Sequence, residues 1–341
     1  MRATFITWYP YCRRSDTIAA ALGAPSHLIH YLTFKRPAQA PFKYVLQAVT
    51  TLRVLRRERP ELVLVAAPPI FAVLPVFLYA MFSRARVVID AHTGLFEHAR
   101  WTWLLPLTRA LMRRADAVVV TGGHLRDLVS SWGAKPVIIG DVPVSFVPGT
   151  PPVATSRPRV VVVNTFSVDD PVDALLAAAR LVPDVEFCVT GDTRAARPEW
   201  LSTRPANVTF TGFVSEDAYA GLLRAADAVV VLTTHDHTMQ RGGYEAMALA
   251  KPLVTSDWAL LRETFSRGTV HVKNDPESIA AGVRRAIAER ATLGPAMASL
   301  RTERQAIFAT RLDEMRRMVS RASPGPTSDR IESTLSSMEH S

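Results

Sequence analysis

Short runs of β-branched and apolar residues alternate along this chain with longer stretches whose apolar positions recur every three or four residues. The short runs predict strands at Ala3 to Trp8, His27 to Leu32, Glu61 to Ala66, Arg86 to Ala91, Ala117 to Thr121 and Pro136 to Ile139. A second set follows at Arg159 to Asn164, Val185 to Thr190, Val208 to Phe210, Ala228 to Leu232, Leu253 to Thr255 and Thr269 to Val272. Uninterrupted apolar runs such as AVVVL mark strands covered on both faces, and helical stretches between most of them imply parallel sheets with helices on either side. The proline-rich stretch VPGTPPVATSRP, Val147 to Pro158, separates two halves of similar content. The expected fold class is therefore α/β, with two doubly wound, Rossmann-like parallel-sheet domains facing across a cleft and the ligand at the carboxyl ends of the strands. The expected divisions are 1–150, 151–300, a charged helical segment at 301–321 and a tail at 322–341 that has no core-forming pattern and reads as disordered.

Composition narrows the class. With 341 residues, 48% hydrophobic and 21% charged, the chain has the make-up of a soluble globular protein long enough for two domains. Residues 1–150 hold 18 Lys+Arg against 8 Asp+Glu, whereas 151–341 hold 22 against 23, so the net charge of +9 belongs to the first half. That asymmetry points to an anionic partner, either a membrane surface or an acidic acceptor. KYVLQAVTTLRVLRRER, Lys43 to Arg59, would as a helix align Val45, Val49, Leu52 and Leu55 with Arg53, Arg56, Arg57 and Arg59 beside them. This pattern suits a membrane-surface helix and a core-facing helix equally. Zinc-finger spacing and RNP-like aromatic motifs are absent, which argues against nucleic acid as a partner. Cys12 and Cys188 are too few for a disulfide framework, so a reducing cytosol is expected. The apolar N-terminus is too short for a signal peptide. AAPPIFAVLPVFLYAMF, Ala66 to Phe82, contains three prolines and falls short of the about 20 residues of a membrane span, so it reads as a buried loop and helix. Walker A, GxGxxG and HExxH sequences are missing, which removes P-loop NTPases, dinucleotide dehydrogenases and zinc proteases.

The segment HDHTMQRGGYEAMALAKPLVTSDW, His235 to Trp258, carries the most chemistry. It leaves the strand DAVVVLTT through a polar loop, and Gly242 and Gly243 read as a tight turn into a helix beginning near Tyr244. A helix start with open N–H groups binds anions, phosphate above all. Glu245 is expected in the first turn of that helix, where its carboxylate can accept hydrogen bonds from a ribose diol.

GYEAMALAKPLVTSDW resembles the C-terminal domain of the family 4 (group 1) retaining glycosyltransferases of the GT-B fold, in which a second glutamate is followed by Ala-Met, then Gly-Lys-Pro and a strand ending near Ser-Asp. The resemblance implies that Glu245 holds the donor ribose. The family's first glutamate, which contacts the donor sugar, falls on His237. DAHTGLFE places His92 where the family has a histidine reaching the donor sugar. TGFVSEDAYAGLLRAADAVVVLTT puts the backbone of Phe213 and Val214 beside the base, and VTGD puts Gly191 and Asp192 beside the nucleotide. The resemblance also implies that the 301–321 helix crosses back to the first domain. One departure concerns the diphosphate. The family's Arg and Lys after the first strand of the second domain are replaced by NTFSVDDPVDALL, so Arg241 with the Gly242 and Gly243 amides is the candidate for the leaving-group charge. A solvent-facing Arg241 without that role fits the sequence equally well. Tyr9, Arg13, Arg14 and Ser15, after the first strand, are the candidate acceptor contacts.

The function implied is retaining transfer of a hexose-type sugar from a nucleoside diphosphate donor to a hydroxyl of a glycan or lipid-linked acceptor, with His92, Glu245 and Arg241 as the catalytic set. It would take place in the cytoplasm or peripherally on the inner face of the plasma membrane, with an anionic membrane surface as a further partner. No metal or cofactor is required, although the HDH segment or the Asp169 and Asp170 pair could hold an ion. The alternatives are a non-catalytic sugar-nucleotide or glycan binding module on the same scaffold, and a nucleotide-sugar epimerase.

Overall fold

The computed structural model describes residues 1–32, 39–140, 143–236 and 238–321. Two compact units result, one taking Met1–Val142 and resuming at Ile307, the other taking Pro143–Ala306. The expected tail at 322–341 lies outside the described residues.

The first unit is built on six strands, β1 (Ala3–Thr7), β2 (Ser26–Leu28), β3 (Leu62–Ala67), β4 (Arg86–Ala91), β5 (Ala117–Val120) and β6 (Pro136–Ile138). All pair in parallel in the order β2-β1-β3-β4-β5-β6. Leu62 at the start of β3 stands opposite Ala3 on one side and Arg86 on the other. Every residue of β3, LVLVAA, is buried. The two-residue period of a strand explains why. Val63, Val65 and Ala67 enter a core with Val73 and Val76, while Leu62, Leu64 and Ala66 enter an opposite core with Ile18, Phe308, Leu312 and Met315. The carboxyl half of the long helix Arg290–Arg321 thus belongs to the first unit, and Arg316 also donates to the Ala21 carbonyl.

The second unit repeats the plan with β7 (Arg159–Val162), β8 (Glu186–Thr190), β9 (Val208–Gly212), β10 (Ala228–Val231), β11 (Leu253–Ser256) and β12 (Thr269–Val272). The order is β12-β11-β10-β7-β8-β9, again parallel, so the direction of winding reverses between β7 and β10. Helices Val172–Leu181 and Pro276–Ala288 cover one face. Glu216–Ala225, Arg241–Ala248 and the Met297 and Leu300 turn of the long helix cover the other. The stretch 147–158, expected as a linker, is packed onto this unit. Thr150 donates its amide to the Asp217 carbonyl, Arg224 reaches the Val147 carbonyl, and Gly221 lies so close to Thr150 that a Cβ would overlap its carbonyl.

All twelve expected strands form, and the two doubly wound sheets are as the periodicity implied. Three local expectations change. β2 ends at Leu28 instead of Leu32, because the Ile29 carbonyl is taken by the Gln47 side chain at 2.7 Å and not by a strand neighbour. The helix Ala40–Glu58 buries Lys43, Gln47, Thr51 and Leu55, leaving Val45 and Val49 exposed. Its inner face is largely polar because it serves the strand ends, with Thr51 accepting the Trp8 indole N–H at 3.0 Å. The helix Val73–Ser83 buries only one side, and Leu74, Leu78, Met81 and Phe82 are exposed. Among the described residues no helix is long and apolar enough to cross a membrane.

Candidate functional site

Open α/β sheets leave a crevice beyond the strand ends where their winding reverses. In the second unit that point is filled from above by the amino terminus of the helix Arg241–Ala248, which no side chain caps. Gly242 sits so near the ends of β7 and β10 that a Cβ would come 2.8 Å from Val163 and 2.9 Å from Val231. A Cβ on Gly243 would run into the Phe265 ring. The glycine pair therefore serves close approach inside the helix and not a turn before it, and the helix begins at Arg241 instead of near Tyr244. Glu245 is displaced accordingly, a full turn into the helix and not in its first turn.

Glu245 is buried, and both of its oxygens are engaged. Oε1 accepts from Arg241 Nε at 3.1 Å, and Oε2 accepts from the Tyr219 hydroxyl. Arg241, expected to face a diphosphate, is turned back along its own helix into this ion pair, with about half of its side chain still exposed. A carboxylate oxygen accepts more than one hydrogen bond, so Glu245 keeps accepting capacity on both oxygens. The sequence gives no sign of Tyr219 as a partner of Glu245. It lies on the helix Glu216–Ala225, and nothing in local spacing connects it to Glu245.

The aspartates of the acidic loop after β7 are used inside the protein. Asp170 Oδ2 accepts from the amides of Thr165 and Ser167 and from the Thr165 hydroxyl. Asp169 ties this loop to the one after β10, accepting from Thr233 Oγ1 at 3.0 Å through its side chain and from Thr234 N at 2.8 Å through its carbonyl. Burial raises the Asp169 pKa, but hydrogen bonds from Ser167 and Thr233 outweigh it and hold the carboxyl below its ordinary value. The Thr233 carbonyl in turn accepts from Trp258 Nε1 and Asn274 Nδ2, which fixes the end of β10. Gly191, at φ 126°, follows β8 where a Cβ would press on the Asn164 carbonyl at 2.6 Å and on the Phe166 ring. Only glycine suits both that backbone and that space. Asp192 is held by the Arg194 amide and guanidinium. Phe213 is 88% exposed beside half-buried Val214, in the loop between β9 and the Glu216 helix. His237 lies outside the described residues, and among those described no group of three acidic, His or Cys side chains is arranged to hold a metal ion.

In the first unit the candidates gather around Asp90, the buried penultimate residue of β4. Arg14 grips it, with Nη2 at 3.1 Å from Oδ1, and also donates to the Ile139 carbonyl at 2.6 Å. His92, just past the strand, lies 3.2 Å from Asp90 Oδ2. Because a carboxylate only accepts, Nε2 carries the proton in this bond. Burial alone would raise the Asp90 pKa, but Arg14 and His92 hold it well below the usual carboxylate range. Removing one partner of so buried a pair typically costs about 3–5 kcal/mol. Tyr9 stacks on His92 with centroids 6.4 Å apart, and burial, with Cys12 and Tyr44 nearby, pushes its phenol up to about 12. The acceptor candidates therefore divide. Arg14 is committed to Asp90, and Ser15 is fully buried between the Thr7 hydroxyl and the Cys12 thiol. Arg13 lies over the Tyr11 ring.

Residues 157–289 match the family model of the glycosyl transferases group 1. No curated protein sequence matches the chain. Solved structures of similar fold include sucrose-phosphate synthase from Thermosynechococcus elongatus, at 15% identity and TM-score 0.69 over 95% of this chain and 100% of that one. A glycosyltransferase from Rickettsia africae has 13% identity and TM-score 0.66, covering 94% of this chain and 99% of that one. Anabaena HepE in complex with UDP-glucose has 14% identity and TM-score 0.63, covering 92% and 99%. The chain has the GT-B fold, and within it residues 157–289 match the model of the glycosyl transferases group 1.

Proposed function

We propose that this protein transfers a sugar, with retention, from a nucleoside diphosphate donor to a hydroxyl of a glycan or lipid-linked acceptor. The observation that carries the reading is the uncapped helix start seated on the ends of β7 and β10, with buried Glu245 one turn further in. Such a helix start offers N–H groups and a positive dipole end to a diphosphate, and the carboxylate offers acceptors to a ribose. HepE, of similar fold, is described in complexes with UDP and UDP-glucose, which favours a nucleotide sugar as donor. Retention needs no dedicated protein base if the departing phosphate takes the proton of the attacking hydroxyl on the same face. The protein's part is then to orient the two substrates and stabilise the charge that develops on the leaving group. Arg241, the first residue of that helix, is the side chain we assign to the latter, since about half of it is exposed and open to a phosphate.

Incubation of one donor with and without acceptors tests the reading. The expected result is acceptor-dependent release of the nucleoside diphosphate, with the donor's anomeric configuration kept in the product. Isomerised sugar without acceptor would make the protein an epimerase, and binding without turnover a recognition module. EDTA should leave the rate unchanged, since Asp169 and Asp170 are occupied in their own loops. Loss on chelation, restored by magnesium or manganese, would assign a metal instead.

An anionic membrane surface is the second partner proposed. The helices Ala40–Glu58 and Val73–Ser83 pack on one another and expose Phe42, Val45 and Val49 on the first, Leu74, Leu78, Met81 and Phe82 on the second. Arg53, Arg56 and Arg84 are exposed on the same two helices and their ends. Apolar side chains beside guanidinium groups suit the headgroup boundary of an anionic bilayer. The protein should sediment with phosphatidylserine or phosphatidylglycerol liposomes at low salt, and Met81→Asp with Phe82→Asp should release it. Absence of sedimentation by the unaltered protein at low salt would remove the proposal.

A further inference from the structure

Glu245 is held from two different helices. Arg241 lies on its own helix four residues back, while Tyr219 reaches across from the helix Glu216–Ala225. The two donors differ in how firmly they are themselves held. Arg241 is about half exposed, whereas Tyr219 packs against Phe146 with ring centroids 6.4 Å apart. The helix that carries Tyr219 is fixed at its start by Ser215, whose hydroxyl accepts from the Ala218 amide at 3.2 Å.

We propose that Tyr219 is a positioning residue that holds the Glu245 carboxylate in the orientation that accepts both ribose hydroxyls, and so sets the preference for ribonucleotides over deoxynucleotides. The inference rests on the reading of Glu245 as the ribose contact. With Oε2 fixed by Tyr219 and Oε1 by Arg241, one accepting direction on each oxygen remains, and two such directions match a vicinal diol. Arg241 alone cannot guarantee that geometry. A guanidinium presents a planar fork, and without the Tyr219 hydroxyl the carboxylate is free to rotate onto that fork and spend both oxygens on it. An incoming diphosphate would also compete for Arg241. Tyr219 is then the one neutral donor of the two, whose bond to Glu245 no phosphate charge would draw away. A carboxylate oriented before binding spares the ligand the cost of ordering it.

The test is calorimetric titration with UDP, ADP and GDP and with their 2′,3′-dideoxy analogues, on the full chain and on Tyr219→Phe, Glu245→Gln and the double variant, with thermal melting of each to establish folding. The unaltered protein should prefer the ribonucleotide. Tyr219→Phe should lose about tenfold in affinity for the ribonucleotide and nothing for the dideoxy analogue. In the Glu245→Gln background the same substitution should change neither by more than about twofold. Equal losses for ribo- and dideoxynucleotide in Tyr219→Phe would make Tyr219 part of the scaffold and overturn the inference while leaving Glu245 in place. Undiminished ribose preference in Tyr219→Phe, abolished by Glu245→Gln, would also overturn it. A native protein that binds no ribonucleotide more tightly than its dideoxy analogue would overturn the Glu245 reading and the inference together.

Discussion

Replacement of Glu245 by alanine should weaken binding of the free nucleoside diphosphate and of the intact donor to the same degree, by roughly 100-fold or more. Two hydrogen bonds from a ribose to a buried carboxylate are worth about 1.5–3 kcal/mol each, and both vanish with the side chain. The equality of the two losses is the informative part, because a ribose contact is made identically whether or not a sugar is attached. The structure adds a second consequence. Arg241 and the Tyr219 hydroxyl lose their common acceptor, so the variant should also melt earlier than the parent protein. Glu245→Gln separates these effects, since it keeps an oxygen for one donor and removes the charge. Calorimetry on both variants, beside their melting curves, checks the expectation. Unchanged nucleotide affinity in a folded Glu245→Ala protein would remove the ribose role.

The sheets were legible in the sequence because a parallel strand buried on both faces has no room for a polar position. LVLVAA in β3 and AVVV in β5 and β10 are read correctly for that reason alone. The same rule misleads where burial and polarity coincide. Lys43, Gln47 and Thr51 form the inner stripe of their helix because polar groups just past β1 and β2, the His30 ring, the Ile29 carbonyl and the Trp8 indole, take them as partners, and a hydropathy pattern assigns such residues to the outside. The glycine pair at 242 and 243 is visible in the sequence, but its task is not. A turn and a close packing contact both select glycine, and only the neighbours, Val163, Val231 and Phe265, distinguish them. Pairings across long sequence separations left no local trace. Arg14 meets Asp90, and Tyr219 meets Glu245, through the fold alone. An aspartate in the apolar run RVVIDA was nonetheless a readable hint that a cation had to be brought to it.

His92 should behave in the opposite way to Glu245. Its imidazole is oriented within the first unit, with Nε2–H on Asp90, Arg14 behind the same carboxylate and the Tyr9 ring stacked alongside. Asp90 stays ionised far into acid, since Arg14 and His92 hold its pKa down against the effect of burial, so this orientation persists throughout the neutral range. A fixed imidazole matters most to a group that changes during the reaction; the family resemblance implies that His92 reaches the donor sugar, and we propose that this contact strengthens as positive charge develops there. An interaction that strengthens only on the way to the transition state contributes to turnover and not to affinity. His92→Ala is therefore expected to lower turnover by roughly 100-fold while leaving the affinity for the nucleoside diphosphate within about twofold of the parent value. Transfer rates measured at saturating donor, with calorimetric titration of the same preparation, separate the two quantities. A nucleotide affinity that falls as far as it does in Glu245→Ala would place His92 among the nucleotide contacts, and full turnover in His92→Ala would leave it a structural partner of Asp90 alone.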